Sequence, residues 1–184
     1  MNGTAMNSGE VLLDVEVRTP EQMERLGALV AGWLSAGDVL LLNGLLGAGK
    51  TTFTRGLGAA LGVRGAVTSP TFVIARVHPG LLPLVHVDAY RLASYAELDD
   101  LDLEHDLTEA VTVIEWGGGV AEGLASRRLE IAIERSVGDD AIAEGADDDL
   151  DDHDPRRVVI TAVGGFVPVA VSEASRQGSG RDDV

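Results

Sequence analysis

The chain has 184 residues, 45% of them apolar, which is enough for one core of ordinary domain size and too little for two large domains. Thirty acidic against 14 basic residues give a formal charge of −16, which disfavours broad attraction to nucleic acid or an anionic membrane surface. The absence of cysteine excludes disulfide frameworks, thiol nucleophiles and cysteine-ligated zinc, and agrees with a cytoplasmic protein.

In chain order, residues 1–10 are small, polar and aperiodic and are expected to be disordered. They lack the cationic and apolar regions of an export signal, and no apolar run reaches the ~20 residues of a membrane span. The expected domain is 11–171. It opens with a strand at Val11–Val17, followed by Thr19-Pro20-Glu21-Gln22, a capping-box pattern with proline at the first helical position. Met23, Leu26, Val30, Trp33 and Leu34 then recur at helical spacing. Asp38–Asn43 holds a short apolar run suited to a strand buried on both faces, and Thr51–Leu61 reads as a helix stopped by Gly62. Strands are expected at Phe72–His78 and Leu82–Asp88, joined by a Pro79-Gly80 turn, then a helix near Ser94–Leu101 and a buried strand at Val111–Glu115.

Leu129–Arg135 and Arg157–Val163 read as the last two strands. Between them, Gly138–Asp154 carries nine acids and no lysine or arginine, so the rest of the chain has 21 acids against 14 bases, a balance of −7. Such a segment repels itself, and 138–154 is expected to be a flexible loop, with 172–184 a disordered tail. The alternation of strands and helices predicts an α/β fold with a mostly parallel central sheet and added antiparallel hairpins.

Gly44-Leu45-Leu46-Gly47-Ala48-Gly49-Lys50-Thr51 fits G-x-x-x-x-G-K-[ST], the Walker A pattern, between an expected strand and helix. Its glycines allow backbone N–H groups to converge where side chains would obstruct phosphates. The helix terminus adds partial positive charge, Lys50 a full charge, and Thr51 a hydroxyl suited to magnesium. Thirteen of the 14 basic residues are arginine, so Lys50 is the only lysine, at the one position of the motif that requires it. A guanine-reading Asn-Lys-x-Asp segment is therefore impossible, and ATP is the expected nucleotide. Gly44, Gly47, Ala48, Gly49, Lys50, Thr51 and Thr52 form the expected cradle.

Asp88, at the end of Leu84–Asp88, is the candidate Walker B-like acid. No glutamate follows it, so Glu115 at the end of the next buried strand is the second candidate. One of the two would hold magnesium, directly or through water, while the other orients the attacking water. Thr68-Ser69-Pro70-Thr71-Phe72 lies where a switch segment would be. His86, two residues before Asp88, reads more readily as a structural histidine, and the histidines show no metal-ligand spacing. Trp116 either packs on the nucleotide or caps the sheet.

LLGAGKTTF at 45–53, SPTF at 69–72, HVDAYRL at 86–92 and VIEW at 113–116 together resemble the bacterial TsaE family over about Val11 to Val163. The resemblance implies a single P-loop NTPase-like domain, a small ATPase of tRNA threonylcarbamoyladenosine biosynthesis, using ATP and Mg2+ with the TsaB and TsaD proteins, and meeting tRNA only through that complex. It implies phosphate and magnesium roles for Lys50 and Thr51, a magnesium ligand in Glu115, a Walker B-like acid in Asp88, a switch residue in Thr71 and a nucleotide neighbour in Trp116. It also implies an arginine leading into the last strand, matched best by Arg156, and an acid near the first helix, matched by Glu21. The chain departs from the family at Leu45, where an acid is usual, and in the length of its acidic loop. Two other readings compete. A small metabolite kinase would need an arginine-rich lid, for which Arg127-Arg128 is the compact pair, and a nucleotide-sensing adaptor would bind without turnover.

Overall fold

The computed structural model describes residues 9–69, 75–89, 108–116, 125–135 and 155–169. Among these residues nine elements follow in order: β1 (Glu10–Val17), α1 (Pro20–Ala31), β2 (Val39–Gly44), α2 (Lys50–Ala60), β3 (Ala75–His78), β4 (Leu84–Asp88), β5 (Val111–Glu115), β6 (Arg128–Arg135) and β7 (Arg156–Val163). They form a mixed α/β structure around a seven-stranded sheet of order β1-β7-β6-β2-β5-β4-β3. The central strands β6, β2, β5 and β4 are parallel, while β3 pairs antiparallel with β4, and β7 with both β6 and β1. The expected Ser94–Leu101 helix, the acidic segment 138–154 and Thr71 lie outside the described residues. Among the described residues, no helix is long and apolar enough to cross a membrane.

Strands buried on both faces account for the unbroken apolar runs. Leu40 and Leu42 of β2 join a cluster with Phe53 and Leu57 of α2 and Met23 and Val30 of α1. Val39 and Leu41 alternate to the opposite face and meet Val85, Val87 and Ile114. α1 and α2 cross almost backbone to backbone: a Cβ on Gly27 would fall on the Phe53 carbonyl, and one on Gly56 on the Glu24 carbonyl.

Most element ends differ from the sequence reading by one or two residues. One of these shifts lengthens a connection: β3 and β4 are separated by residues 79–83, where the expected strands left 79–81 around the Pro79-Gly80 turn. The cause is a tie to the end of α2, because Arg64 N–H donates to Pro79 O, Leu81 N–H to Gly62 O and Leu82 N–H to Leu61 O. Those bonds draw the linker over the helix end, and the ladder with β5 begins where Pro83 O accepts from Val111 N–H at 2.9 Å.

Candidate functional site

In parallel strands the carboxyl ends share one edge, and here that edge gathers the loop and the two acids. β2 ends at Gly44, which pairs with Ile133 of β6 so closely that a Cβ would lie 2.6 Å from the Ile133 carbonyl oxygen. The chain then turns through Gly47 (φ 71°) and Gly49 (φ 104°), left-handed conformations that glycine adopts without steric cost. Gly49 is also the N-cap of α2, and no side chain caps the helix's first N–H groups. Ala48, nearly fully buried, donates its N–H to Leu45 O at 3.1 Å, while Leu45 and Leu46 stand exposed at the loop tip. Thr52, half-buried, completes the first turn of α2.

Lys50 is buried, and its Nζ donates to Gly44 O at 2.9 Å and Leu45 O at 3.0 Å. The same ammonium stands 3.8 Å from the centroid of the Trp116 ring, a cation–π distance. Burial pulls the Lys50 pKa below its ordinary value, and the carboxylates of Glu115 and Asp88 oppose that shift. Trp116 has a left-handed φ of 61°, the one non-glycine residue to do so among those described, and its N–H still bonds Leu42 O at 3.1 Å. Backbone strain of that kind costs on the order of 1–3 kcal/mol and persists where surroundings enforce it. Here the β5 ladder holds one side of Trp116 and the Lys50 ammonium the other.

Asp88 and Glu115 end adjacent parallel strands and are direct register partners. Glu115 is buried at 3% exposure, and its Oε1 accepts from Thr51 Oγ1 at 3.3 Å and faces His86 Nε2 at 2.8 Å. Lys50, Thr51, Asp88, Glu115 and Trp116 are thus brought together, although residues 50 and 116 lie far apart in sequence. A hydroxyl and a carboxylate in contact, with a second carboxylate on the next strand, make an oxygen set of the kind that suits Mg2+. No cluster of three or more His, Cys, Asp or Glu able to hold a metal without the hydroxyl occurs among the described residues.

Arg156 and Glu21 stand further along the same edge. Arg156 opens β7 opposite Arg135 of β6 and opposite Val17, the last residue of β1, so α1 begins at the loop's edge of the sheet. Arg156 is almost wholly buried, whereas Arg135 is half-buried with Nη2 4.0 Å from where a Cβ on Gly47 would be. Arg135 is the site-edge residue that sequence reasoning missed. The expected strand Leu129–Arg135 ends on it, and the pairing of β6 with β2 is what brings that end to the loop. Glu21 is exposed on the first turn of α1, where the Thr19 hydroxyl and its own backbone N–H lower its pKa.

The Arg127-Arg128 pair sits at the opposite edge, at the start of β6. Arg127 Nη2 donates to Asp38 Oδ1 at 2.7 Å, and Arg128 Nε to Glu130 Oε1 at 2.8 Å. Both are committed to structural ion pairs remote from the loop.

Residues 17–141 match the family model described as threonylcarbamoyl adenosine biosynthesis protein TsaE. A Streptomyces coelicolor protein named tRNA threonylcarbamoyladenosine biosynthesis protein TsaE is 60% identical over 123 residues, covering 65% of this chain and 83% of that one. A Bacillus subtilis protein of the same name is 39% identical over 158 residues, covering 85% and 90%. The solved structure of Bacillus subtilis YdiB is similar at a TM-score of 0.66 and 33% identity, over 93% of this chain and 99% of that one.

Proposed function

The chain belongs to the TsaE family, and from this premise we propose that, within tRNA threonylcarbamoyladenosine biosynthesis, it is the magnesium-dependent subunit that binds and hydrolyses ATP in support of a TsaB–TsaD complex. The domain is read as P-loop NTPase-like. The observation that carries the proposal is a Walker A loop, with Gly47 and Gly49 at positive φ, facing two register-paired acids of which one already bonds Thr51.

Gly44, Gly47, Ala48, Gly49, Lys50, Thr51 and Thr52 would bind the phosphates through backbone N–H groups and the α2 terminus. Lys50 would exchange its two carbonyl acceptors for phosphate oxygens. Thr51 and Glu115 would hold Mg2+, which when bound supplies positive charge to the phosphate oxygens. Asp88, one strand away, would orient the attacking water. Trp116 supports a place beside the nucleotide because its ring already contacts Lys50. Arg135 joins Arg156 and Glu21 as a nucleotide-side candidate on geometry. With an acidic surface, the chain meets tRNA through its partners.

Titration calorimetry with ATP, with and without Mg2+, tests the binding reading, and phosphate release with and without TsaB and TsaD tests the rest. Metal-dependent binding with partner-stimulated release is expected. Transfer to a small molecule would support the kinase reading, which the engaged Arg127-Arg128 pair disfavours, and binding without turnover would support the adaptor.

A further inference from the structure

His86 lies in the middle of β4, fully buried, paired in register with Arg76 of β3 and Val113 of β5. Leu84 and Val113 pack into the cluster containing Phe53 and Leu57, so alternation puts His86, Asp88 and Glu115 on the side of the sheet that carries α2. The ring nitrogen Nε2 is 2.8 Å from Glu115 Oε1. A carboxylate only accepts, so this nitrogen carries the hydrogen of the bond. Nδ1 is buried with no hydrogen-bond partner among the described residues. An apolar side chain would avoid that cost, so nothing about packing alone favours imidazole at this position.

Both hydrogen bonds of Glu115 fall on Oε1, one from His86 and one from Thr51. Oε2 takes none among the described residues. A glutamate has three rotatable side-chain bonds, and the hydrogen bond from His86 inside the sheet holds Oε1 beside the Thr51 hydroxyl.

We propose that His86 is a positioning residue for Glu115, its Nε2–H clamping Oε1 so that the carboxylate is held beside Thr51 in the orientation that takes a divalent cation. The proposal rests on the reading of Glu115 as a metal ligand. It assigns the selection of imidazole at position 86 to orientation of a carboxylate, a task that hydrogen bonds behind a ligand commonly perform.

The test uses the full chain with ADP and Mn2+, following Mn2+ binding by electron paramagnetic resonance, alongside ADP affinity in EDTA and thermal melting. His86→Leu should weaken Mn2+ binding by roughly 10–100-fold, the usual consequence of removing a partner behind a ligand, while metal-free ADP affinity stays at the wild-type value. His86→Gln, whose amide can place a donor near the position of Nε2, should recover most of the loss. His86→Asn, whose amide reaches the place of Nδ1, should not. Wild-type Mn2+ affinity in His86→Leu, alongside lost affinity in Glu115→Gln, would overturn the positioning role and leave the ligand assignment standing. Should His86→Leu fail to fold, equal Mn2+ affinity in the Gln and Asn variants overturns it instead. Retained Mn2+ binding in Glu115→Gln would sink the ligand assignment and this proposal with it.

Discussion

The N-termini of α1 and α2 start at the same edge of one sheet and are built on opposite plans. α1 begins in the arrangement its sequence announces: Thr19 Oγ1 accepts from Gln22 N–H, Pro20 occupies the first turn, and Glu21 sets a negative charge against the helix dipole. The Gln22 side chain reaches one residue further back than a capping box requires, accepting from Arg18 N–H at 2.7 Å. α2 has a glycine cap in the left-handed region, no capping side chain, no acid in its first turn and a lysine as its first residue. Every one of those choices disfavours the helix on its own account. The terminus with its own side chains attending to it is structural. The one denied them is arranged for a negative group from outside.

Lys50→Ala should break the comparison most. The only lysine in the chain is removed from the unsatisfied terminus, so calorimetric ATP binding should fall below detection while the melting temperature stays close to wild type. Unfolding in step with the loss of binding would refute the assignment.

Glu115→Gln comes next. Removing a preorganised charge should lower ATP hydrolysis by about 10²–10³-fold in a phosphate-release assay with partners present. ATP affinity should suffer less, because the loop, the terminus and Lys50 remain. Glu109→Gln is the control, since Glu109 is exposed just before β5 starts, at the edge away from the loop.

Thr19→Ala acts on the other terminus. Loss of its cap should cost roughly 1 kcal/mol of stability in urea denaturation, with ATP affinity unchanged. Coupled losses would show that the two termini are not independent.

Thr52→Asp gives α2 the first-turn acid that α1 has. It should raise stability slightly, by about 0.3–1 kcal/mol, and weaken ATP binding at the same time. Stability and binding moving together at this position would contradict the division drawn between the two helices.

Much of this was legible in the sequence because it is local. The Walker A loop, the cap of α1 and the apolar runs of β2 and β5 each declare themselves within a few residues. The two acids were legible too, since each ends a buried run and parallel strand ends converge. What was not legible depends on register between distant segments. His86 reads as an interior strand residue until β4 is laid beside β5 and its ring meets Glu115, 29 positions away. Arg135 was missed beside Arg156 for the same reason: that the two face each other across β6 and β7 follows only from the register. β4 starts two residues later than expected because Leu81 and Leu82 N–H bond the end of α2, a tie between distant segments.

The close crossing of α1 and α2 bears on which changes the chain can accept. Neither Gly27 nor Gly56 has a positive φ, so both would look replaceable from backbone conformation alone. Yet even a methyl group at either would collide with a backbone carbonyl of the facing helix, and a carbonyl cannot rotate aside as a side chain can. In a saturation library sorted for folded protein, these two positions should accept glycine and little else. Two residues outside the site would then be as invariant as the loop itself, and a conservation map read without the structure would mistake them for part of it.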